Sequence, residues 1–180
     1  MAYRLSQKSK QLLVAIHVIA VASWTGGTFG MLLLGIYLGS AANGDQLTYT
    51  LASMEVIDEN LLKYPALLTL LTGILLSIWT QWGLVKHYWV AIKLTLTVAT
   101  ILIGIFFLND WTESLGDLVR ESGFAAMRDP AYRSTRTSML VTAGFNLVCL
   151  LLMVIITYFK PFGKIKKRRA PGPSPTSKRS

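Results

Sequence analysis

The chain has 180 residues, of which 52% are hydrophobic and only 15% are charged, and its net charge is +9. Four long apolar stretches and their connections use nearly all of this length, which leaves no room for a separate soluble catalytic domain. A hydrocarbon core of about 30 Å needs about 20 apolar residues in helical form, and continuous apolar runs favour helices over alternating β-strands. The composition therefore predicts an all-α fold, a four-helix transmembrane bundle.

The predicted order along the chain is a cytoplasmic lead (residues 1–10), a four-span membrane domain (11–160) and a flexible basic cytoplasmic tail (161–180). The spans are predicted at about 11–39, 62–84, 87–109 and 137–160. Residues 40–62 are expected to form the first loop, in which 55–62 could begin the second span early. The third loop, 110–136, is the longest, with a surface helix over 113–127 that Asp129 and Pro130 end.

Basic residues and acidic residues are unevenly distributed. The lead, the turn with Lys86 and the tail carry positive charges and no acid, whereas all nine acidic residues lie within residues 45–129. Lysine and arginine near span ends favour the cytoplasmic side, so both termini are predicted to be cytoplasmic in a multi-pass topology. This placement accounts for the positive charge without nucleic acid, and the tail is expected to contact anionic membrane lipid.

Each predicted span carries small, hydroxyl-bearing or soft side chains along one side, at about 100° per residue. These stripes are, in order of the spans, His17, Ala20, Val21, Trp24 and Met31; Pro65, Thr69, Thr72, Gly73 and Thr80; Trp89, Lys93, Thr97, Thr100 and Gly104; and Met139, Thr142, Asn146, Cys149, Met153 and Thr157. On the opposite side of the first span, Ala22, Gly26 and Gly30 form a small-xxx-small pattern, which predicts a second close helix contact. The stripes fit either helix packing or the lining of a cofactor cavity.

The ionisable residues predicted inside the membrane or at its edge are the main candidates for a site. His17 lies about two turns into the first span on the side of Trp24, His87 marks the start of the third span, and Lys93 lies within it. Histidines from two helices can hold a haem iron, which makes His17 and His87 candidate metal ligands of haem b. Trp24 and Lys93 are candidate cofactor contacts, with Lys93 as counter-charge to a haem propionate or an anionic quinone headgroup.

Each of these residues also has an interpretation without a cofactor. His17 could be a core histidine bonded to a neighbouring hydroxyl, and His87 an interfacial residue of the aromatic belt. Lys93 could extend its ammonium group to the membrane surface. Both interpretations stay open at this point.

Sulfur-bearing residues of the fourth span suggest another chemistry. Cys149 and Met153 lie one turn apart on one face, and soft sulfur ligands select Cu(I), although methionine also commonly fills cores. No phosphate-binding glycine motif, pair of inward carboxylates or nucleophile–base constellation is visible in the sequence. We therefore expect no independent catalytic activity.

The order of several motifs resembles that in small bacterial integral membrane proteins. The motifs are His17…Trp24-Thr25-Gly26-Gly27, Thr72-Gly73, Trp89-x-x-x-Lys93, Asp129-Pro130-Ala131-Tyr132-Arg133 and Phe159-Lys160-Pro161, which together cover most of residues 10–163. They resemble the copper-resistance D membrane domain and a four-span membrane family of unknown function, and the last two motifs look closer to the latter. The resemblance implies a bacterial plasma-membrane bundle with loose kinship to b-type cytochrome bundles and copper-related bundles.

Three functions remain open from the sequence. The first is a redox-linked or accessory membrane subunit that binds b-type haem within its helices. The second is a cofactor-free scaffold or partner-binding subunit, and the third is copper-ion handling. The expected partners are membrane lipid and either other membrane proteins or further copies of the chain, and no nucleic acid.

Overall fold

The computed structural model describes residues 6–79 and 87–159. Its α-helices are α1 (Gln7–Tyr37), α2 (Gly44–Ile57), α3 (Tyr64–Trp79), α4 (Tyr88–Ile103), α5 (Asn109–Ser122) and α6 (Pro130–Phe159). A π-helical segment, Asp58–Lys63, joins α2 to α3; a second, Gly104–Leu108, joins α4 to α5; and a 3-10 helix, Gly123–Arg128, follows α5. The predictions for Lys86, Thr80, Lys160–Pro161 and the tail fall outside the described residues.

The described residues form four long helices, each long and apolar enough to cross a membrane. They are Gln7–Tyr37, Gly44–Trp79, Tyr88–Arg128 and Pro130–Phe159. The predicted all-α, four-helix transmembrane bundle is therefore confirmed, and the chain is a multi-pass membrane protein. We call the end where α1 and α4 begin the terminal end, and the end that contains α2 and α5 the distal end.

The helices are longer than the predicted spans. Gly44–Trp79 contains 36 residues, which at ~1.5 Å per residue is about 54 Å, well beyond a hydrocarbon core of about 30 Å. Residues that were expected to form the first and third loops are mostly helical, because α2 and α5 continue the helices α3 and α4. Each of these helices is therefore longer than one perpendicular crossing of the membrane requires.

Helix α2 begins where side chains satisfy its first backbone groups. Asn43 is the N-cap, and its side chain accepts a hydrogen bond from the Gln46 backbone N–H at 2.9 Å. The Gln46 side chain in turn accepts from the backbone N–H of Ala42 at 2.7 Å, an exchange similar to a capping box. This sequence signal for a helix start at Gly44 was missed in the prediction of a loop over residues 40–62.

The distal end has its own hydrophobic core, which explains why the helices persist outside the lipid. Its buried members are Met31, Leu38, Ala41, Leu47, Leu51, Met54, Leu115, Val119, Ala126, Tyr132 and Met139. Residues spaced by three or four along α2 and α5 thus bury one face of each helix. Burial at about 25 cal/mol per Å² of apolar surface supplies the stabilisation that these amphipathic segments lack alone.

Arg136 of α6 closes the end of α1. Its Nε donates to the Gly35 carbonyl at 2.9 Å and its Nη2 to the Ile36 carbonyl at 3.0 Å, both in the last turn of α1, where carbonyls lack the regular partners of the helix interior. The Ile36 carbonyl also accepts from the Gly39 backbone N–H at 3.1 Å. A Cβ added to Gly39 would overlap the Arg136 guanidinium group. Glycine at position 39 therefore makes room for the cap.

Within the membrane half, α1 packs on α3 and α6, and α4 packs on the same two helices. In the described bundle, α1 thus lies diagonally opposite α4. Buried Trp24, Ala66, Leu150 and Met153 form a second core cluster near its centre. The inward stripes were predicted correctly for the buried residues Ala20, Trp24, Met31, Thr69, Thr72, Trp89, Thr97, Thr100, Met139, Asn146, Cys149 and Met153. The prediction is wrong for Thr157, which is exposed near the end of α6.

The predicted second contact of α1 is wrong in its position. A Cβ on Gly26 would have nothing within 4 Å, and one on Gly30 would meet only Ile57, at 3.6 Å. A tight backbone approach occurs instead at Gly27, where a Cβ would lie 2.8 Å from the Leu61 Cβ. Small residues four apart permit close approach on one face, but the neighbouring helix determines which face is used.

Candidate functional site

His17 lies on the inner side of α1, half-buried against α3. Its Nδ1 is 2.8 Å from Thr72 Oγ1. A Cβ on Gly73 would lie 3.3 Å from His17 Cε1. Thr72 and Gly73, which the sequence analysis noted as a motif, therefore hold the histidine ring from α3.

The hydrogen bonds of Thr72 favour one tautomer of His17. Thr72 Oγ1 lies 2.6 Å from the Leu68 carbonyl and 3.2 Å from the Thr69 carbonyl, and a threonine hydroxyl has a single hydrogen to donate. When that hydrogen is donated to the Leu68 carbonyl, the hydroxyl oxygen accepts from Nδ1–H of His17. In the neutral imidazole this leaves Nε2 with its lone pair, the form that can ligate a metal.

Lys93 joins α4 to α6 at the same end of the bundle. Its Nζ donates to Thr157 Oγ1 at 2.6 Å, and the Thr157 hydroxyl donates to the Met153 carbonyl at 2.7 Å. Because α4 begins at the same end of the bundle as α1, Lys93 and His17 both belong to its terminal end. The structure adds Thr157 as the partner of the lysine.

The other two predicted site residues have different surroundings. His87 is the N-cap residue of α4, and its ring centroid lies 6.3 Å from that of Trp89. Trp24 is only 4% exposed and belongs to the central apolar cluster with Ala66 and Leu150. Trp24 therefore fills the bundle beyond His17, whereas His87 lies beside an aromatic ring at the start of the third span.

Polar side chains continue from the site into the bundle core. Thr97 Oγ1 donates to Met153 Sδ at 3.3 Å, and Asn146 Nδ2 donates to the Thr100 carbonyl at 3.3 Å. Asn146 Oδ1 and Thr69 Oγ1 are buried without a hydrogen-bond partner among the described residues. Sequence analysis placed all of these on inward stripes but could not pair them, because pairing depends on the relative height of neighbouring helices.

The residues proposed for copper lie in this polar core. Cys149 is buried, and Met153 Sδ accepts the Thr97 hydrogen bond. Over residues 6–79 and 87–159 no group of three or more His, Cys, Asp or Glu side chains could hold a metal ion. Copper handling therefore stays a prediction of the sequence.

The fold and the buried polar side chains define a multi-pass helical membrane protein with an intramembrane histidine and lysine. Comparison of the chain with protein-family models, with curated proteins and with solved structures gives no match. The resemblance of the motif order to known membrane families stays a prediction. Function is therefore inferred from the side chains themselves.

Proposed function

We propose that the protein is a redox-linked accessory subunit of the plasma membrane that holds b-type haem through Nε2 of His17. The observation that carries this proposal is the pair of hydrogen bonds at Thr72, which favours the tautomer of His17 with its proton on Nδ1. A metal-ligating histidine almost always donates its other ring N–H to an acceptor, which fixes the tautomer and the ring orientation. Thr72 is that acceptor here.

The surroundings of His17 suit an axial ligand. Gly73 leaves space for the ring, and the α1–α3 contact limits its rotation. The haem would supply one-electron transfer, and the role of the chain would be to bind and orient it. The proposal requires only His17 as a ligand from this chain, because His87 lies against Trp89 at the start of α4.

The orientation of the site follows from charge. Basic residues in the lead, at Lys86 and in the tail favour a cytoplasmic terminal end, which would place His17 in the inner half of the bilayer. A reporter fused after Ser180 is expected to be protected from reagents added outside intact cells. Labelling of that reporter in intact cells would contradict the orientation.

The haem proposal is tested by the visible spectrum of the purified chain. We expect the full chain, expressed with a haem precursor and purified in mild detergent, to show a Soret band with about one haem per chain. The variant His17→Ala should lose the band, and the matched variant His87→Ala should keep it. Circular dichroism and a monodisperse elution profile confirm that both variants are folded.

Two outcomes of this experiment would overturn the haem proposal. One is a folded wild-type chain that remains colourless when haem is abundant. The other is a Soret band that persists unchanged in His17→Ala. A Thr72→Val variant adds a finer test, since loss of the Nδ1 hydrogen bond should shift the band position or the midpoint potential without removing all haem.

A second candidate function is a cofactor-free scaffold, and the packing of Trp24 favours it. The Trp24 side chain is 4% exposed and fills the centre of the bundle, so no vacancy is required to explain the polar stripes. In this interpretation the His17–Thr72 bond only joins α1 to α3, with a contribution of about 0.6 kcal/mol. His17→Ala and Thr72→Val would then lower stability equally and change no optical signal.

A further inference from the structure

Lys93 carries a positive charge within a membrane-spanning helix and has a neutral partner. Its ammonium group donates to Thr157 Oγ1 at 2.6 Å, and an ammonium group has three N–H donors. Because Thr157 already donates to the Met153 carbonyl, its oxygen acts only as an acceptor toward Lys93. Two donors of the lysine are therefore left for another acceptor.

None of the acidic residues of the chain can neutralise this lysine. All nine belong to the described residues and lie within residues 45–59 and 110–129, in or next to α2 and α5 and thus toward the distal end. Asp110 follows Lys93 on the same continuous helix and is about 25 Å away at ~1.5 Å per residue. The only ion pair among the described residues joins the exposed side chains Arg120 and Asp117.

An unpaired ammonium group in a membrane span is costly, and such residues usually pair with another group. Near the end of a membrane bundle, the available anions are the phosphate groups of membrane lipids. Basic residues between helices bind such anionic headgroups. Lysine binds phosphate as a point charge and needs no bidentate geometry. Both remaining N–H groups of Lys93 can donate to phosphate oxygens.

We propose that Lys93, held by Thr157 at the contact of α4 with α6, binds the phosphate group of an anionic phospholipid at the terminal end of the bundle. Thr157 acts as a positioning residue, since it fixes the ammonium group by one hydrogen bond. The lipid site is independent of the haem proposal, because it requires no ligand at His17.

The proposal is tested by native mass spectrometry of the full chain released from micelles with defined lipid. We titrate phosphatidylglycerol and, separately, phosphatidylcholine, and compare wild type with Lys93→Gln, Lys93→Arg and Lys10→Gln. Lys10 is an exposed lysine at the same end of the bundle, which makes it a matched control for general attraction. Circular dichroism confirms that each variant is helical.

We expect Lys93→Gln to lower the affinity for phosphatidylglycerol about fivefold, the factor for one basic residue near the surface. Lys93→Arg and Lys10→Gln should bind nearly as wild type, and Thr157→Val should lose part of the preference over phosphatidylcholine. An unchanged affinity in Lys93→Gln, or an equal loss in Lys10→Gln, would overturn the proposal. Displacement of the lipid by millimolar glycerol phosphate would also overturn it, since the anion would then come from solution.

A different ligand for Lys93 is distinguishable in the same variants. If Lys93→Gln lost haem while keeping its lipid affinity, the lysine would serve a haem propionate, and the lipid proposal would be rejected. If the wild-type chain were colourless and Lys93→Gln still lost lipid, the haem proposal would fail and the lipid site would stand.

Discussion

The tight approach of α1 to the Asp58–Lys63 segment gives a sharp prediction at two adjacent glycines. A Cβ on Gly27 would lie 2.8 Å from the Leu61 Cβ, 3.0 Å from the Leu61 carbonyl oxygen and 3.0 Å from Leu62 Cδ2. A Cβ on Gly26 would have nothing within 4 Å. We predict that Gly27→Ala destabilises the bundle and that Gly26→Ala does not.

The magnitude follows from the atoms that would be displaced. Carbon atoms pack best at about 3.5–4.0 Å, so α1 and the Asp58–Lys63 segment would have to separate by about 1 Å. One of the obstructing atoms belongs to the Leu61 backbone, which a side-chain rotation cannot move. Overpacking of this kind costs about 1–3 kcal/mol, while replacing glycine by alanine within a helix regains about 0.5–1 kcal/mol.

We therefore expect Gly27→Ala to be about 1–3 kcal/mol less stable than Gly26→Ala, since the gain from replacing glycine is common to both variants. The measurement is reversible unfolding in mixed micelles of a mild detergent and dodecyl sulfate, followed by tryptophan fluorescence and circular dichroism. The Gly26→Ala chain should match wild type or exceed it slightly. Equal unfolding midpoints for the two variants would refute the inferred contact between α1 and the segment before α3.

Three further predictions follow from single contacts. Arg136→Met should lower the free energy of unfolding by about 1–3 kcal/mol, because it leaves two carbonyls of α1 without the charged cap. Gly39→Ala should lower it by a similar amount in the wild-type chain but by little in the Arg136→Met variant, and a double-mutant cycle of unfolding free energies measures this difference. In Thr72→Val, ¹⁵N NMR of labelled histidine should show His17 losing its fixed Nδ1–H tautomer, whereas an unchanged spectrum would refute the assignment. Asn146→Leu should leave the free energy of unfolding unchanged or raise it in the same micelle assay. The substitution removes a buried amide oxygen that has no partner among the described residues, together with the long hydrogen bond from the amide nitrogen.

Local sequence signals explain which helix ends were predicted and which were not. Asp129 and Pro130 were predicted to end a helix, and in the structure they also begin α6: Pro130 is its first residue and the Asp129 side chain accepts from the Ala131 N–H at 2.7 Å. The start of α2 also had a signal, at Asn43 and Gln46, but its persistence outside the membrane depends on burial against α5. That burial involves residues about 70 positions away, such as Leu47 and Val119 in one cluster, and a local pattern does not contain it.

The candidate site also contains residues that were predicted from sequence and contacts that were not. The sequence identified His17 and Lys93 as the ionisable residues of the first and third spans, because charge in an apolar run is visible without any structure. The identity of their partners, Thr72 and Thr157, came only from the packed bundle. Both threonines were already on the predicted stripes, so the missing information was the vertical register between helices.

The amino-acid sequence by itself determined that this chain crosses a membrane as four helices and which side of each helix faces inward. Lipid offers no hydrogen bonds to the backbone, so continuous apolar runs have to be helical wherever they occur. Only the tertiary structure decided that α1 is approached at Gly27 rather than Gly26, and that Thr72 is the hydrogen-bond partner of His17. In lipid no hydrophobic force drives helices together, so close packing and single hydrogen bonds select the register, and these depend on atoms that are distant in sequence.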